Sequence, residues 1–530
     1  MSVGAFAGTW ALVRINLRRD RLVVPTCVAG FTALLALTAA SLDDLYPTAG
    51  DRRQLASAIG ENPAISAIRG APQGLDTLGG LVTFQAGVLV TVFVALMSLL
   101  LVNRHTRSDE EAGRTELVLS TATGRCAPAA AGLLTVAVAD AGVAIGIATA
   151  LIASGLPAAG SAALAAWIGA AGLTFAAVAT VSAQLSENSR TASGTSLAVL
   201  GAAYATRAAG DAGDGALTWF SPIGWGEKVR AFDDERWWPL LLYAAATVLL
   251  VGLAYTLLGR RDLGAGILPS RGGPAAASAR LGGPLGLAVR LQRGALIGWG
   301  VGLLLLGGLY GVVADAIESF AENERIAEIL AQAGGIDIVD SYFGTIVVVL
   351  ALLASGFAIA SALRARAEEA AGRAEAVLAA PTTRARWSGG HLAVALGGTA
   401  LVLALAGLGA GAGAAISTGE LVNLPRLLGS ALAQAPAVWA VVGLAFALFG
   451  LMPRAIPAAW VAFGVFVVVE MFGELLDLPR WVRDLSPFEH LPEAPAAELT
   501  VAPPVILTAV AAALVLAGFA GLRRRDIGAG

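Results

Sequence analysis

The chain contains 530 residues, of which 57% are hydrophobic and 14% are charged, and it carries a formal net charge of −3. Because soluble proteins carry about 25% charged residues, this composition excludes an ordinary soluble domain. With a mean hydropathy of +0.74, it predicts an all-α polytopic membrane protein in contact with the lipid bilayer, and no nucleic-acid partner is expected.

Long apolar runs occur throughout the chain. Nine of them meet the requirement of about 20 apolar residues for a helix that crosses a bilayer core, and three more bring the expected number of spans to twelve. The expected spans are residues 22–41, 80–102, 127–156, 157–185, 192–207, 240–258, 295–313, 345–363, 392–416, 427–451, 455–472 and 503–522. The residues before the first run are mildly apolar and then basic. This is not the order of a cleavable signal peptide, so we expect the first span to remain as an anchor.

Arginines distinguish the two sides of the membrane. Cytoplasmic loops carry an excess of Lys and Arg, and alternation of twelve spans places the arginine-rich segments on one side. These arginines are Arg14, Arg18, Arg19, Arg21, Arg104, Arg107, Arg114, Arg125, Arg190, Arg260, Arg261, Arg271, Arg280, Arg290 and Arg293. The opposite loops are richer in acids, for example Asp43, Asp233 and Glu318. Both termini are therefore predicted to be cytoplasmic, in a multi-pass protein of the plasma membrane.

One charged segment occurs twice, each time directly after the second expected span of a half. Residues 107–125 read RSDEEAGRTELVLSTATGR and residues 366–384 read RAEEAAGRAEAVLAAPTTR, with ten identities in nineteen positions and no gap. Burial in lipid does not require such charges. Their retention in two copies that otherwise differ widely predicts that a partner in water recognises the segment.

Two further matches extend the duplication over the whole chain. RRDLGAG at 260–266 corresponds to RRDIGAG at 524–530, and Ser221-Pro222 corresponds to Ser486-Pro487. Across the three matches the offset is 259, 264 or 265 residues. The predicted organisation is a six-helix half at 1–266, a flexible cytoplasmic linker at 267–284 and a second six-helix half at 285–530. Since each half has an even number of spans, the two halves form a parallel repeat.

The duplicated segment is predicted to be helical and to carry ion pairs at helical spacing, each contributing about 0.2–0.5 kcal/mol. The predicted pairs are Arg107–Glu111 and Glu110–Arg114 in the first copy and Arg366–Glu369 and Glu369–Arg373 in the second. Gly113 and Gly372 lie where the chain can bend between two short helices. A short apolar patch bracketed by charge follows, which is typical of a docking surface. The alternative is a membrane-proximal helix whose arginines extend to the interface, but occurrence in both halves favours docking.

These features resemble the membrane subunits of ATP-binding-cassette exporters of the second permease type. The fused twelve-span arrangement, with its RRD(L/I)GAG endings, is similar to the polyketide-antibiotic and tetronasin-like exporter permeases of actinobacteria. In that family the segment after the second span is a coupling helix that docks on an ATPase. The resemblance therefore implies docking roles for Arg107, Glu110, Gly113, Arg114 and Glu116, and for Arg366, Glu369, Gly372, Arg373 and Glu375. The second copy has Ala370 and Ala376 in place of Glu111 and Leu117, which predicts docking contacts of unequal strength.

The chain has no sequence that could bind ATP through a P-loop, whose lysine reaches the phosphates. Its single lysine, Lys228, is followed by valine instead of the serine or threonine that the motif needs. The glycine run at 407–413 lies inside an apolar span and is predicted to serve close helix packing. We therefore expect two copies of a separate ATPase that hold ATP and Mg²⁺, no cofactor on this chain, and no metal site.

Ionisable residues inside spans are costly and often functional. Asp140, in the middle of the third expected span, is the main candidate for an intramembrane polar site, although an interhelical hydrogen bond is an alternative. Arg207 and Glu470 lie near the outer ends of spans and are predicted to extend to the interface or to cap helices. The resemblance implies export of hydrophobic or amphiphilic compounds between the halves. The alternatives are a proton-coupled secondary drug transporter, for which Asp140 is the main intramembrane carboxylate, and a membrane-embedded enzyme, for which no catalytic cluster is evident.

Overall fold

The computed structural model describes residues 3–59, 66–67, 69–268, 283–314, 338–472, 478–492, 494–497 and 500–525. Within these ranges the secondary structure is helical, without a strand. The chain divides into two compact units, Met1–Gly273 and Pro274–Gly530. Most of the expected linker, at 269–282, and the end of the second RRDIGAG motif, at 526–530, lie outside the described residues.

The first unit contains twelve α-helices among its described residues. They are α1 (Thr9–Arg19), α2 (Val23–Leu45), α3 (Ala49–Ile59), α4 (Leu78–Val82), α5 (Val88–His105), α6 (Arg107–Glu111), α7 (Arg114–Leu119), α8 (Ala127–Ala153), α9 (Ala158–Leu185), α10 (Ser189–Ala212), α11 (Gly224–Glu227) and α12 (Leu240–Arg260). Helices α5 and α9 are the most enclosed, while α2 and α12 are largely exposed. Because α2 and α12 are apolar on their exposed sides, they are suited to contact with lipid.

The second unit contains ten helices among its described residues. They are α13 (Pro284–Val312), α14 (Ile338–Ala362), α15 (Arg364–Ala370), α16 (Arg373–Leu378), α17 (Arg384–Thr418), α18 (Asn423–Ala433), α19 (Ala435–Leu451), α20 (Pro457–Phe472), α21 (Arg480–Arg483) and α22 (Ala502–Arg524). Helices α14 and α19 form its enclosed centre.

The glycine run of the second unit lies within α17, and two of its glycines face α13. A β-carbon at Gly409 would come within 2.0 Å of the Leu304 carbonyl oxygen, and one at Gly413 within 2.2 Å of the Gly308 carbonyl oxygen. These approaches leave no room for a side chain, so the two helix backbones are in direct contact. The prediction that this run serves close helix packing is confirmed.

Ten helical segments of the described chain are long and apolar enough to cross a membrane. The two remaining expected spans are the fifth of each half, at 192–207 and 455–472. The first lies in α10, whose ends are rich in polar residues, and the second matches α20, which has only 16 residues. A span needs about 20 apolar residues. The structure therefore shows a multi-span helical protein, and the number twelve stays a prediction.

Candidate functional site

Both copies of the duplicated segment fold into the same elbow of two short helices. In the first elbow α6 is followed by α7, and in the second α15 is followed by α16. The bend lies at Gly113, with φ of 72°, and at Gly372, with φ of 71°. A β-carbon at either position would meet nothing within 4 Å, so the left-handed backbone, and not a lack of space, favours glycine there. The predicted bend is confirmed.

The inner side of the first elbow is held by Glu110. Both of its carboxylate oxygens accept hydrogen bonds from Arg261, at 2.6 and 2.8 Å, and one also accepts the Gly264 backbone N–H at 2.7 Å. Arg261 in addition donates through Nε to Gln184 at 2.8 Å. Only 6% of the Glu110 side chain and 5% of the Arg261 side chain are exposed, so the bidentate pair is almost completely buried.

Two further arginines of the first copy bind the chain that follows α12. Arg107, with 1% of its side chain exposed, donates to the carbonyl oxygens of Gly264 at 2.8 Å and Ala265 at 3.1 Å, and lies 3.1 Å from a Glu110 oxygen. Arg125 donates to the carbonyl oxygens of Leu258 and Arg261. The duplicated segment is thereby tied to the end of the last span of its own unit.

The second elbow repeats this arrangement. Arg525 donates to both oxygens of Glu369 at 2.8 Å, and Arg384 donates to the Arg525 carbonyl oxygen at 2.5 Å. Arg366 lies 3.9 Å from Glu369. We call the two equivalent sets the latches. The first latch is Glu110, Arg261 and Arg125, and the second latch is Glu369, Arg525 and Arg384.

The sequence contains a signal for the latches. The acid of the duplicated segment and the arginine of the RRD(L/I)GAG motif occur together in both halves, and they are each other's partners. Retention of Arg107, Glu110 and Glu369 therefore has an internal physical cause, since a buried charge needs a partner. Recognition by a partner in the aqueous phase is not needed to explain why these three residues are retained.

The ion pairs predicted across the glycine are wrong, whereas the Arg366–Glu369 proximity is as predicted. Arg114 binds Asp109 at 2.7 Å, and Arg373 binds Glu368 at 2.7 Å. Both pairs are five residues apart, because the left-handed glycine interrupts the helix and removes the i,i+4 relationship. The hydrogen bond with Glu368 raises the pKa of Arg373.

Two acids of the first copy bind neighbouring helices, and one of them, Glu111, was predicted to pair with Arg107. Glu111 accepts the Ser189 backbone N–H and hydroxyl, at 3.0 and 2.6 Å, and does not pair with Arg107. Asp109 also binds Arg19 of α1 at 2.7 Å. This bond raises the pKa of Arg19. The first elbow is thus fastened to α1 and α10 as well as to α12.

The outer side of each elbow is exposed. In the first, Arg114 has 54% of its side chain exposed, Glu116 is exposed, and Leu117 has 72% of its surface exposed. In the second, Arg373 has 59% of its side chain exposed, and Glu375 and Ala376 are exposed. Five of the ten expected docking residues are therefore exposed, whereas the side chains of Arg107, Glu110 and Glu369 are buried and Gly113 and Arg366 are half-buried. The exposed residues are Arg114, Glu116, Arg373, Glu375 and, at the second bend, Gly372.

Asp140 lies where three helices meet in the first unit. It is 2% exposed, and one oxygen accepts the Ser98 hydroxyl of α5 at 2.7 Å. A β-carbon at Gly172 of α9 would come within 2.8 Å of the same oxygen. Asp140 thus makes an interhelical hydrogen bond, the alternative that the sequence left open.

Arg207 is completely buried, so the prediction that it extends to the interface is wrong. It lies 3.2 Å from both Asp211 and Glu227, and it donates to the Ala67 carbonyl oxygen at 2.6 Å. Burial raises the pKa of Glu227 from its ordinary 4.5 to about 8; Arg207 lowers it and Asp211 raises it. Arg207 was not predicted to pair with Asp211, four residues later, and Glu227 is 20 residues away in the short helix α11. Glu470 of the second unit accepts the Ser486 hydroxyl.

The chain was compared with known proteins. Residues 281–523 match the family model described as multidrug efflux system permease Rv1217c, C-terminal domain. The multidrug efflux system permease protein Rv1217c of Mycobacterium tuberculosis (strain ATCC 25618 / H37Rv) is 40% identical over 527 residues, covering 98% of this chain and 96% of that protein. Together with ten membrane-length helices, this indicates a transport component and not an enzyme. The chain belongs to the family of multidrug efflux system permeases, and it is a multi-pass protein of the plasma membrane.

Proposed function

We propose that the chain is the membrane subunit of an ATP-binding-cassette exporter of the second permease type. It moves hydrophobic or amphiphilic drug-like compounds out of the cell, and two copies of a separate ATPase dock on the two elbows. In this proposal twelve spans form two parallel six-helix repeats, and both termini are cytoplasmic. The family supports drug export, and the remaining points rest on the geometry and residues below.

The observation that carries the proposal is the pair of elbows. Each presents an exposed arginine and glutamate directly after a glycine bend, at Arg114 and Glu116 and at Arg373 and Glu375. Each is also fixed on its inner side by a buried bidentate pair to the last span of its unit. An elbow held in this way moves together with the spans. A displacement of the elbow by a docked protein is therefore transmitted to the membrane helices.

In this proposal the energy for transport comes from ATP hydrolysis on another chain. The single lysine, Lys228, is not in a P-loop sequence, and it lies over the Trp219 ring at 5.6 Å from its centroid. ATP and Mg²⁺ belong to the docked ATPases in this proposal. The proton-coupled alternative would use Asp140, whose hydrogen bond to Ser98 instead gives it a role in helix packing.

The test is co-purification of the full-length chain with an ATPase that contains Walker motifs. We expect the R114E/R373E double variant to lose the ATPase and drug export together, because charge reversal on both exposed surfaces opposes docking. The matched control is Arg290→Glu, an exposed arginine of α13 that is predicted to lie on the same membrane side. Undiminished export by the double variant, with export abolished by collapse of the proton gradient, would support the secondary transporter instead.

A further inference from the structure

A cavity of about 510 Å³ lies in the second unit, between α19, α20, α22 and the segment that precedes α22. Its walls include Ala440, Leu444, Phe466, Ile506, Leu507 and Val510. Pro503, near the start of α22, also lines it, whereas the second latch lies beyond the other end of α22. Leu514 is the lining residue of α22 nearest the latch, and at 1.5 Å per residue about 16 Å of helix separates it from Arg525.

The corresponding place in the first unit is occupied by two aromatic rings. The offset that relates Ser221 to Ser486 relates Trp225 to His490, and the offset that relates Arg260 to Arg524 relates Tyr243 to Leu507. The rings of Trp225 and Tyr243 are in edge contact with centroids 5.3 Å apart. Tyr243 is 1% exposed. At these two positions the second unit has His490, which is smaller than Trp225, and Leu507, which is smaller than Tyr243 and not aromatic.

In both units the serine of the Ser-Pro pair ties this segment to a neighbouring helix. The Ser221 hydroxyl donates to the Ala203 carbonyl oxygen of α10 at 2.6 Å, and the Ser486 hydroxyl donates to Glu470 of α20. Each bond ties the segment before the last span to the helix of the fifth expected span. The cavity of the second unit is therefore explained by smaller side chains at the positions of Trp225 and Tyr243, in a segment that lies similarly in both units.

The chemistry of the cavity is apolar with one polar end. Among the described residues that line it, His490 is the side chain that offers a hydrogen-bonding atom. Its Nε2 lies 2.9 Å from the Asp484 carbonyl oxygen, which places a proton on Nε2 and leaves Nδ1 as an acceptor. Arginine and lysine are absent from these lining residues, so a lipid phosphate would find no cationic partner.

We infer that this cavity binds the transported compound, an apolar molecule of drug size that carries a hydrogen-bond donor near His490. The inference rests on the proposed drug export and adds a site for it. The volume falls within the about 300–1,000 Å³ of small-molecule sites, which are mostly apolar with a few placed polar groups. The first unit does not offer the equivalent site, because Trp225 and Tyr243 fill the place.

The experiment fills the cavity with the residues of the first unit. The H490W/L507Y double variant and wild type are expressed with the partner ATPase, and efflux of N-phenyl-1-naphthylamine, an apolar compound with one N–H donor, is followed by fluorescence. We expect efflux to fall at least tenfold. The matched control is Val505→Phe, which enlarges an exposed residue of α22 outside the lining set and should leave efflux unchanged.

Two milder variants keep the inference testable if the double variant is unstable. His490→Ala should weaken binding of N-phenyl-1-naphthylamine to the purified chain in nanodiscs several-fold, without weakening binding of 1-phenylnaphthalene, which lacks the donor. Leu507→Ala should raise the half-saturating concentration for efflux about fivefold while co-purification of the ATPase is unchanged.

The outcomes separate the two proposals. Normal efflux by H490W/L507Y, or equal effects of His490→Ala on both compounds, would overturn the cavity assignment while drug export stands. Loss of co-purified phospholipid from the double variant with unchanged efflux would identify a lipid site and also overturn it. Absence of efflux in the wild type, despite ATPase co-purification, would reject drug export itself.

Discussion

The two units are alike at the end that carries the latches and different at the opposite end. Both latches join an acid of the elbow to the second arginine of the RRD motif through two hydrogen bonds of 2.6–2.8 Å. At the other end, the first unit has aromatic rings and the buried Arg207 cluster, whereas the second has an open apolar cavity. Both units thus share the connection between the elbow and the end of the last span, and only in the second unit do we propose a ligand site at the opposite end.

Even at the latch end the copies are not equivalent. Glu110 has Arg107 as a buried neighbour and accepts a third hydrogen bond from Gly264, while Arg366 beside Glu369 is 26% exposed. The first elbow also presents Leu117, where the second presents Ala376. Among the described residues, the first copy thus has the more enclosed arginine beside its acid and is more apolar on its outer surface.

Removing the acid of each latch should produce the largest effect. Glu110→Ala leaves the buried Arg261 and Arg107 without their carboxylate, which costs about 3–5 kcal/mol for a broken buried pair. Glu369→Ala should cost less, because Arg525 is 16% exposed and also lies over the Phe449 ring. The measurement is thermal unfolding of the purified chain in detergent.

Glu116→Ala is the matched control for the latch variants, because this acid is exposed on the same elbow and should leave the unfolding temperature unchanged. Equal unfolding temperatures for Glu110→Ala, Glu369→Ala and wild type would mean that the latches do not stabilise the elbows.

The Arg207 cluster should make the first unit sensitive to pH. The pKa of Glu227 is about 8 in the folded chain against an ordinary 4.5, so the folded state holds the proton more tightly. The stabilisation is complete below about pH 4.5 and is lost as the pH rises through about 8. We expect the unfolding temperature to fall by a few degrees between about pH 6 and pH 8.

Glu227→Gln should flatten this dependence, because an amide does not titrate. Arg207, Asp211 and Tyr243 surround the group and remain in the variant. An unchanged pH slope in Glu227→Gln would assign the effect to another group.

The sequence predicted the helical membrane class, the glycine bends and the glycine-mediated packing of α17, because each depends on local composition or backbone conformation. It failed where partners are distant in the chain. Glu110 and Arg261 are 151 residues apart, and a helical spacing rule assigned Glu110 to Arg114 instead. The cavity could not be predicted from the sequence either, because it depends on how the side chains of α19 and α22 fill space.

The smallest expected effect concerns the unequal outer surfaces of the elbows. Leu117→Ala removes the exposed apolar anchor of the first elbow, and we expect ATPase binding to weaken about tenfold, or about 1.4 kcal/mol. The reciprocal change, Ala376→Leu, supplies the missing anchor to the second elbow and should strengthen binding, because an apolar group inside a polar rim contributes most when desolvated. The matched control is Leu285→Ala, an exposed leucine of α13 outside both elbows. Titration of the purified chain with the ATPase measures each change. If Leu117→Ala weakens binding and Ala376→Leu does not strengthen it, the second elbow engages its ATPase through Arg373 and Glu375 alone, and the two docking contacts differ in kind as well as in strength.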